Sequence, residues 1–141
     1  MLLIQEIKQS LYAKYQTDTL WTVDAIPFYL EKAPQSKDYP IICCYHIDSN
    51  QTMAMPTVAK PSGFDYCDAR FQFSIHGNNR QHVQLEDIAN RLENLFHRTS
   101  LTLGNDCTHI ASICINSGTR FWNENEKIWT IALDFRFLAG R

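Results

Sequence analysis

Residues 66–76 read Tyr-Cys-Asp-Ala-Arg-Phe-Gln-Phe-Ser-Ile-His, and within them Phe71, Phe73 and Ile75 alternate strictly with Arg70, Gln72, Ser74 and His76. Side chains on a strand point to opposite faces with a period of two, so this pattern commits the segment to a strand with one apolar and one polar face. The alternation returns near the end of the chain, where Trp129, Ile131, Leu133, Phe135 and Phe137 interleave with Thr130, Asp134 and Arg136. Both strands present an ordered polar face without a catalytic motif nearby. Such a face suits another protein subunit better than a small substrate.

Helical periodicity supplies the cover for the apolar faces. Leu3, Ile4, Ile7, Leu11 and Tyr15 recur at helical spacing over residues 2–16, with Gln5, Lys8 and Lys14 outward and Thr17 and Asp18 closing the helix. A second stripe, Leu85, Ile88, Ala89, Leu92, Leu95 and Phe96, leaves Glu86, Asp87, Asn90, Arg91 and Glu93 outward, and Asn78 with Gln81 resembles a capping box at its start. Residues 26–31 favour a strand, and 33–38 carry turn chemistry. The run from Tyr39 to Ile47, apolar on both faces near its start, reads as a central strand with Pro40 at its first position. Leu101–Leu103 reads as a short strand. Residues 109–117 read as the next one, with Ala111, Ile113 and Ile115 on one side, linked through 118–127 to a last strand at 128–138. Residues 49–65, with Pro56, Pro61 and Gly63 around Met53 and Met55, read as a long loop or a protruding ribbon, a length that is usually functional or disordered. The order helix, strands, helix, strands predicts an α+β fold, mainly an antiparallel sheet with two helices packed on one face, over a single domain spanning residues 1–141.

Composition bounds the function. The chain has 141 residues, 45% of them hydrophobic and 12% aromatic, enough for a core without staples. A net charge of −2 lacks the clustered Lys and Arg that affinity for nucleic-acid phosphates requires. No apolar run approaches the roughly 20 residues of a membrane span, and Met-Leu-Leu-Ile-Gln-Glu at the start does not resemble a secretory signal, so the expectation is a cytoplasmic product with no membrane partner. The odd count of five cysteines, four of them in apolar strand-like runs, reads as reduced core thiols.

Candidate chemistry is sparse. Zinc sites need paired Cys or His ligands at short spacings, whereas Cys43 and Cys44 are adjacent and Cys107-Thr108-His109 stands alone, so core thiols and surface histidines are the favoured explanation and no metal or cofactor is expected. The acid pairs Asp65 with Asp68 and Glu124 with Glu126 look solvated, and the glycines are isolated turn residues rather than a phosphate loop. Arg70, His76, Asp134 and Arg136 are either a solvated sheet face or an intersubunit polar surface. Phe121 and Trp122, expected at a hairpin tip, suit an interface, although such a tip can also fold back on its own core.

Leu11-Tyr12, Ala33-Pro34-Gln35, Tyr39-Pro40-Ile41-Ile42, Arg70-Phe71-Gln72-Phe73-Ser74-Ile75-His76 before a helix, and Asp134-Phe135-Arg136-Phe137 follow one another in an order that resembles the tail-completion or tail-terminator proteins of long-tailed bacteriophages and prophages. The resemblance covers most of the chain through order and spacing of degenerate motifs. It implies a small α+β virion protein, assembled in the bacterial cytoplasm into a ring, commonly a hexamer, between the tail tube and the head connector in the neck. That ring would stop tail-tube polymerisation, dock to the connector or stopper protein, and let DNA pass without binding it. Interface residues expected on this reading are Met53, Met55, Arg70, Phe121, Trp122 and Arg136. The segment 49–65 and the strand cysteines depart from the family pattern, and a head-side connector or stopper is the nearest alternative. A different class, a cytoplasmic enzyme or ligand-binding domain, would place a site between helix and sheet and use Cys67 or His76.

Overall fold

The computed structural model describes residues 2–33, 38–54 and 64–141. Its elements are α1 (Leu2–Thr17), α2 (Thr19–Thr22), β1 (Phe28–Leu30), β2 (Ile41–Ala54), β3 (Phe64–Asn78), α3 (His82–Phe96), β4 (Thr108–Asn123) and β5 (Ile128–Gly140). The strands form one five-stranded sheet in the order β1-β2-β3-β5-β4, antiparallel except where β1 runs parallel to β2. This is the expected α+β fold.

The two alternating segments are the middle of this sheet. β5 pairs along its whole length with the Tyr66–Asn78 part of β3, Phe73 opposite Leu133 and Ile75 opposite Ile131, so their apolar positions form one continuous face. β2 adds Ile42 opposite Ile75 and Cys44 opposite Phe73. α1 and α3 cover this face with the predicted stripes: Ile7, Leu11, Tyr15, Leu85, Leu92 and Phe96 have no measurable exposure. Phe73 lies at the meeting point. Its ring centroid is 5.1 Å from Phe96 of α3, 5.2 Å from Phe135 of β5 and 5.9 Å from Phe28 of β1, while Tyr15 of α1 stacks on Phe28 at 4.7 Å.

Several expectations are corrected. β2 is an interior strand as expected, flanked by β1 and β3, though second from the edge of the sheet. Its start is nonetheless buried on both faces, since Ile41, Ile42, Cys43 and Cys44 are all shielded, and Pro40 lies just before it. Residues 101–103 are irregular, because Leu101 is buried as an anchor rather than paired in the sheet. A further helical turn, α2, follows α1, where Asp18 caps it by accepting a hydrogen bond from the Leu20 N–H at 3.0 Å. The Asn78–Gln81 motif closes the turn ahead of α3 instead of capping the helix itself: the Gln81 side chain accepts from the Asn78 N–H at 2.9 Å, while the Asn78 side chain accepts from the Arg80 N–H at 3.0 Å. In the segment expected as a loop or ribbon, β2 and β3 stay in register out to Ala54 opposite Phe64, and residues 55–63 lie outside the described residues.

One anchor had no signal in the sequence. Glu6, on the buried side of α1, accepts hydrogen bonds from the Gly104 N–H at 2.9 Å and from the Asn105 side-chain amide at 2.6 Å, pinning the 102–107 loop to the helix. The backbone approaches so closely that a Cβ on Gly104 would sit 3.1 Å from the carboxylate. Glu6→Ala leaves those donors unpaired near the core, and the expected loss is about 1 to 3 kcal/mol. Phe73→Ala and Leu92→Ala each open a cavity in the packed layer, and each should cost about 2 to 5 kcal/mol. Denaturant melts measure all three, and a loss under about 1 kcal/mol for Phe73→Ala or Leu92→Ala contradicts the packing described.

Candidate interaction surface

The sheet face turned away from the helices is a cross-strand polar ladder. Arg70 of β3 lies opposite Arg136 of β5, and two like charges so placed repel unless each is compensated. Each is: Arg136 makes a two-pronged ion pair with Asp68, and Arg70 reaches Asp48 of β2 at 3.8 Å. The Asp68 carboxylate and the hydrogen bonds it accepts hold the Arg136 guanidinium more firmly protonated than usual. Farther along, the Gln72 amide donates to Asp134 at 3.3 Å, and the His76 Nδ1 lies 3.0 Å from the Thr130 hydroxyl. The two arginines of this ladder are thus each paired within the sheet.

Phe121 of β4 pairs with Thr130 and joins this same face, half of its surface exposed at 51%. Nearby, Ile113 lies opposite Arg136 on the same face, and Ile110 and Ile115 are also exposed. Sequence reasoning grouped Ala111, Ile113 and Ile115 on one side without showing that the row faces water. The reason lies in β4 itself. Register shifts fall between His109 and Ala111, Cys114 and Asn116, and Asn116 and Thr119, and Gly118 sits at a φ of 134°, where an L side chain is strained. The covered side of β4 carries His109, Ser112 and Cys114, and Ile113, alternating with the last two, turns outward opposite Arg136.

The hairpin tip is also shorter than expected, residues 124–127 rather than 118–127, so Phe121 and Trp122 are strand residues. They point to opposite faces. Trp122 packs on the helix side against Trp129, ring centroids 5.2 Å apart, and its indole N–H donates to Glu124 at 2.6 Å. Trp129 in turn contacts His82 at the start of α3 at 4.8 Å. Of the residues expected at an interface, the structure brings Arg70, Arg136 and Phe121 onto one face and separates Trp122 from them. Met53 lies in β2 with its backbone opposite Asp65, and Met55 lies outside the described residues.

The candidate catalytic groups do not assemble. Cys67 faces the helices and is fully buried, which raises its thiol pKa, while His76 faces the opposite side of the same strand, so a site between helix and sheet has no access to that imidazole. Burial also raises the thiols of Cys44 and Cys114, away from the reactive thiolate. A Ser–His contact exists, His109 Nε2 to Ser112 Oγ at 2.7 Å, but the Leu101 N–H donates to His109 Nδ1 at 3.2 Å. The neutral ring therefore carries its proton on Nε2 and donates to Ser112, which itself donates to the Thr99 carbonyl at 3.1 Å. No lone pair is left to take a serine proton. Among the described residues no three His, Cys, Asp or Glu side chains are placed to hold a metal ion, and no helix is long and apolar enough to cross a membrane.

Truncation separates the two aromatic neighbours. Trp122→Ala removes a packed indole and should lower stability by about 1 to 2 kcal/mol, whereas Phe121→Ala should change it by about 0.5 kcal/mol or less. Equal losses in denaturant melts would show that the two rings share one environment.

No family model matches the chain, and no curated protein matches it. Its fold is similar to that of a chain in the solved virion of a native gene transfer agent particle. The two superpose with a TM-score of 0.74 and 11% sequence identity, over 98% of this chain and 97% of the other.

Proposed function

We propose that this chain is a structural, non-enzymatic subunit of a phage-like virion, and within that class a tail terminator: a ring at the head-proximal end of the tail tube that ends tube polymerisation and docks to the head connector. The observation that carries the reading is the end-to-end superposition on a virion chain, 98% of one on 97% of the other. Fold alone does not set function, so the surface is the second support. A half-polar, half-apolar sheet face, with Phe121 and Ile113 beside the paired Arg70 and Arg136, has the make-up of an interface that combines aromatic anchors with charge registry. A ring needs heterologous, head-to-tail patches, and one sheet with a wet face and a helical layer on its reverse offers two different surfaces. Internal neutralisation of the arginines fits a ring through which DNA slides without being held. Tube protein and head connector are the partners in this reading, and the hexamer is the ring size that the family resemblance implies.

The test is complementation of a particle lacking this protein. Phe121→Ala, or charge reversal at Arg136, is expected to leave a folded subunit by circular dichroism yet give overlong tails, or tails that do not join heads. Overlong tails identify a terminator. Tails of normal length that stay detached identify a head-side stopper instead. Normal tails attached to heads, from folded variants, would move the docking surface off this face.

A further inference from the structure

We infer that residues 97–101 form a histidine-latched strap that closes part of the β4 edge and lets go when its two imidazoles are protonated. β4 is an outer strand, and the peptide groups on its open side are a template for pairing with another chain unless something covers them. The strap covers two of them. The Arg98 N–H donates to the Ser112 carbonyl at 2.7 Å, and the Cys114 N–H, the next outward donor along the strand, donates to His97 Nδ1 at 2.9 Å. At its far end the Leu101 N–H donates to His109 Nδ1, and the Ser112 hydroxyl bridges His109 and the Thr99 carbonyl. Lys14 of α1 holds the Ser100 carbonyl at 2.8 Å.

Two of these bonds depend on an unprotonated imidazole nitrogen accepting from a backbone N–H. Protonation turns both ring nitrogens into donors, so the Cys114 and Leu101 amides lose their acceptor and each faces an N–H instead. The charged groups around the latch are known. Lys14 of α1 acts on His109 electrostatically, and Arg98 of the strap lines the same depression as that ring. On the His97 side, Glu93 of α3 and Asp134 of β5 act on Cys114, the residue that His97 holds. Burial, reinforced by Lys14 and partly offset by a hydrogen bond to the Ala111 backbone, holds His109 below the usual imidazole range. The sign follows. Its folded-state pKa is depressed, so the unfolded chain binds the proton first. The His109 end of the latch contributes fully above the ordinary histidine pKa of about 6.5, and its contribution is lost as pH falls through the lower folded value.

Amide exchange of the intact chain at pH 7.5 and pH 5.0, corrected for intrinsic exchange rates, is the test. The amides of Leu101 and Cys114 should lose at least about tenfold of their protection at pH 5.0 relative to those of α3, which serve as the internal reference. In a His97→Gln/His109→Gln double variant, which has no imidazole in the latch to titrate, the protection ratio should not change with pH. Histidine nitrogen shifts in the unmodified chain provide a readout free of any folding defect: both rings should be in the Nε2-protonated tautomer at pH 7.5. A wild-type ratio that does not change with pH, an equal loss in the double variant, or Nδ1-protonated rings at neutral pH would each overturn the latch.

Discussion

Everything in this molecule is arranged around the contact of Phe73 with three other rings. Phe28 brings the parallel edge strand and, through its stack on Tyr15, the first helix. Phe96 brings α3, and Phe135 brings the neighbouring strand. Because a strand alternates, fixing Phe73 inward fixes Gln72, Ser74 and every second neighbour outward. The polar ladder is therefore not an independent feature of the surface. It is the reverse side of the core, and a slip of one residue would invert both at once.

That ladder solves a problem its own register creates. Pairing β3 with β5 in the register that sets Phe73 opposite Leu133 and Phe71 opposite Phe135 also sets Arg70 opposite Arg136, an arrangement that is unfavourable in isolation. Asp68 and Asp48 resolve it from diagonal and neighbouring positions. A face compensated in this way keeps its order without presenting a net positive patch. That combination suits contact with protein and free passage of nucleic acid, the two properties that the proposed role requires.

β4 follows other rules. Among the described residues it pairs with one strand, carries three register shifts, and uses the strap after α3 rather than another strand to satisfy part of its open side. Between the bulges, alternation turns Ile113 outward and Ser112 and Cys114 inward, where histidines from the strap and from β4 itself complete the hydrogen bonding. An edge strand can tolerate such irregularity because one whole side of its ladder has no partner strand to register with.

The strands at 66–76 and 128–138 and the helix at 82–96 were legible from residue order, because each buries one face and its period reports that face directly. The fold class followed from their succession. Residue order was silent on Glu6 and on the strap, since a carboxylate and two histidines show no periodicity that would mark them as acceptors for distant backbone donors. It also left Phe121 and Trp122 together at a loop tip. Only pairing with Thr130 and Trp129 sends one ring to the wet face and the other against α3. The amino-acid sequence by itself determined which faces are apolar, because burial is a local property of each side chain repeated at a fixed period. Tertiary structure alone decided which polar groups meet across the sheet, where β4 bulges and what closes its edge, because those depend on register and on contacts between residues far apart along the chain.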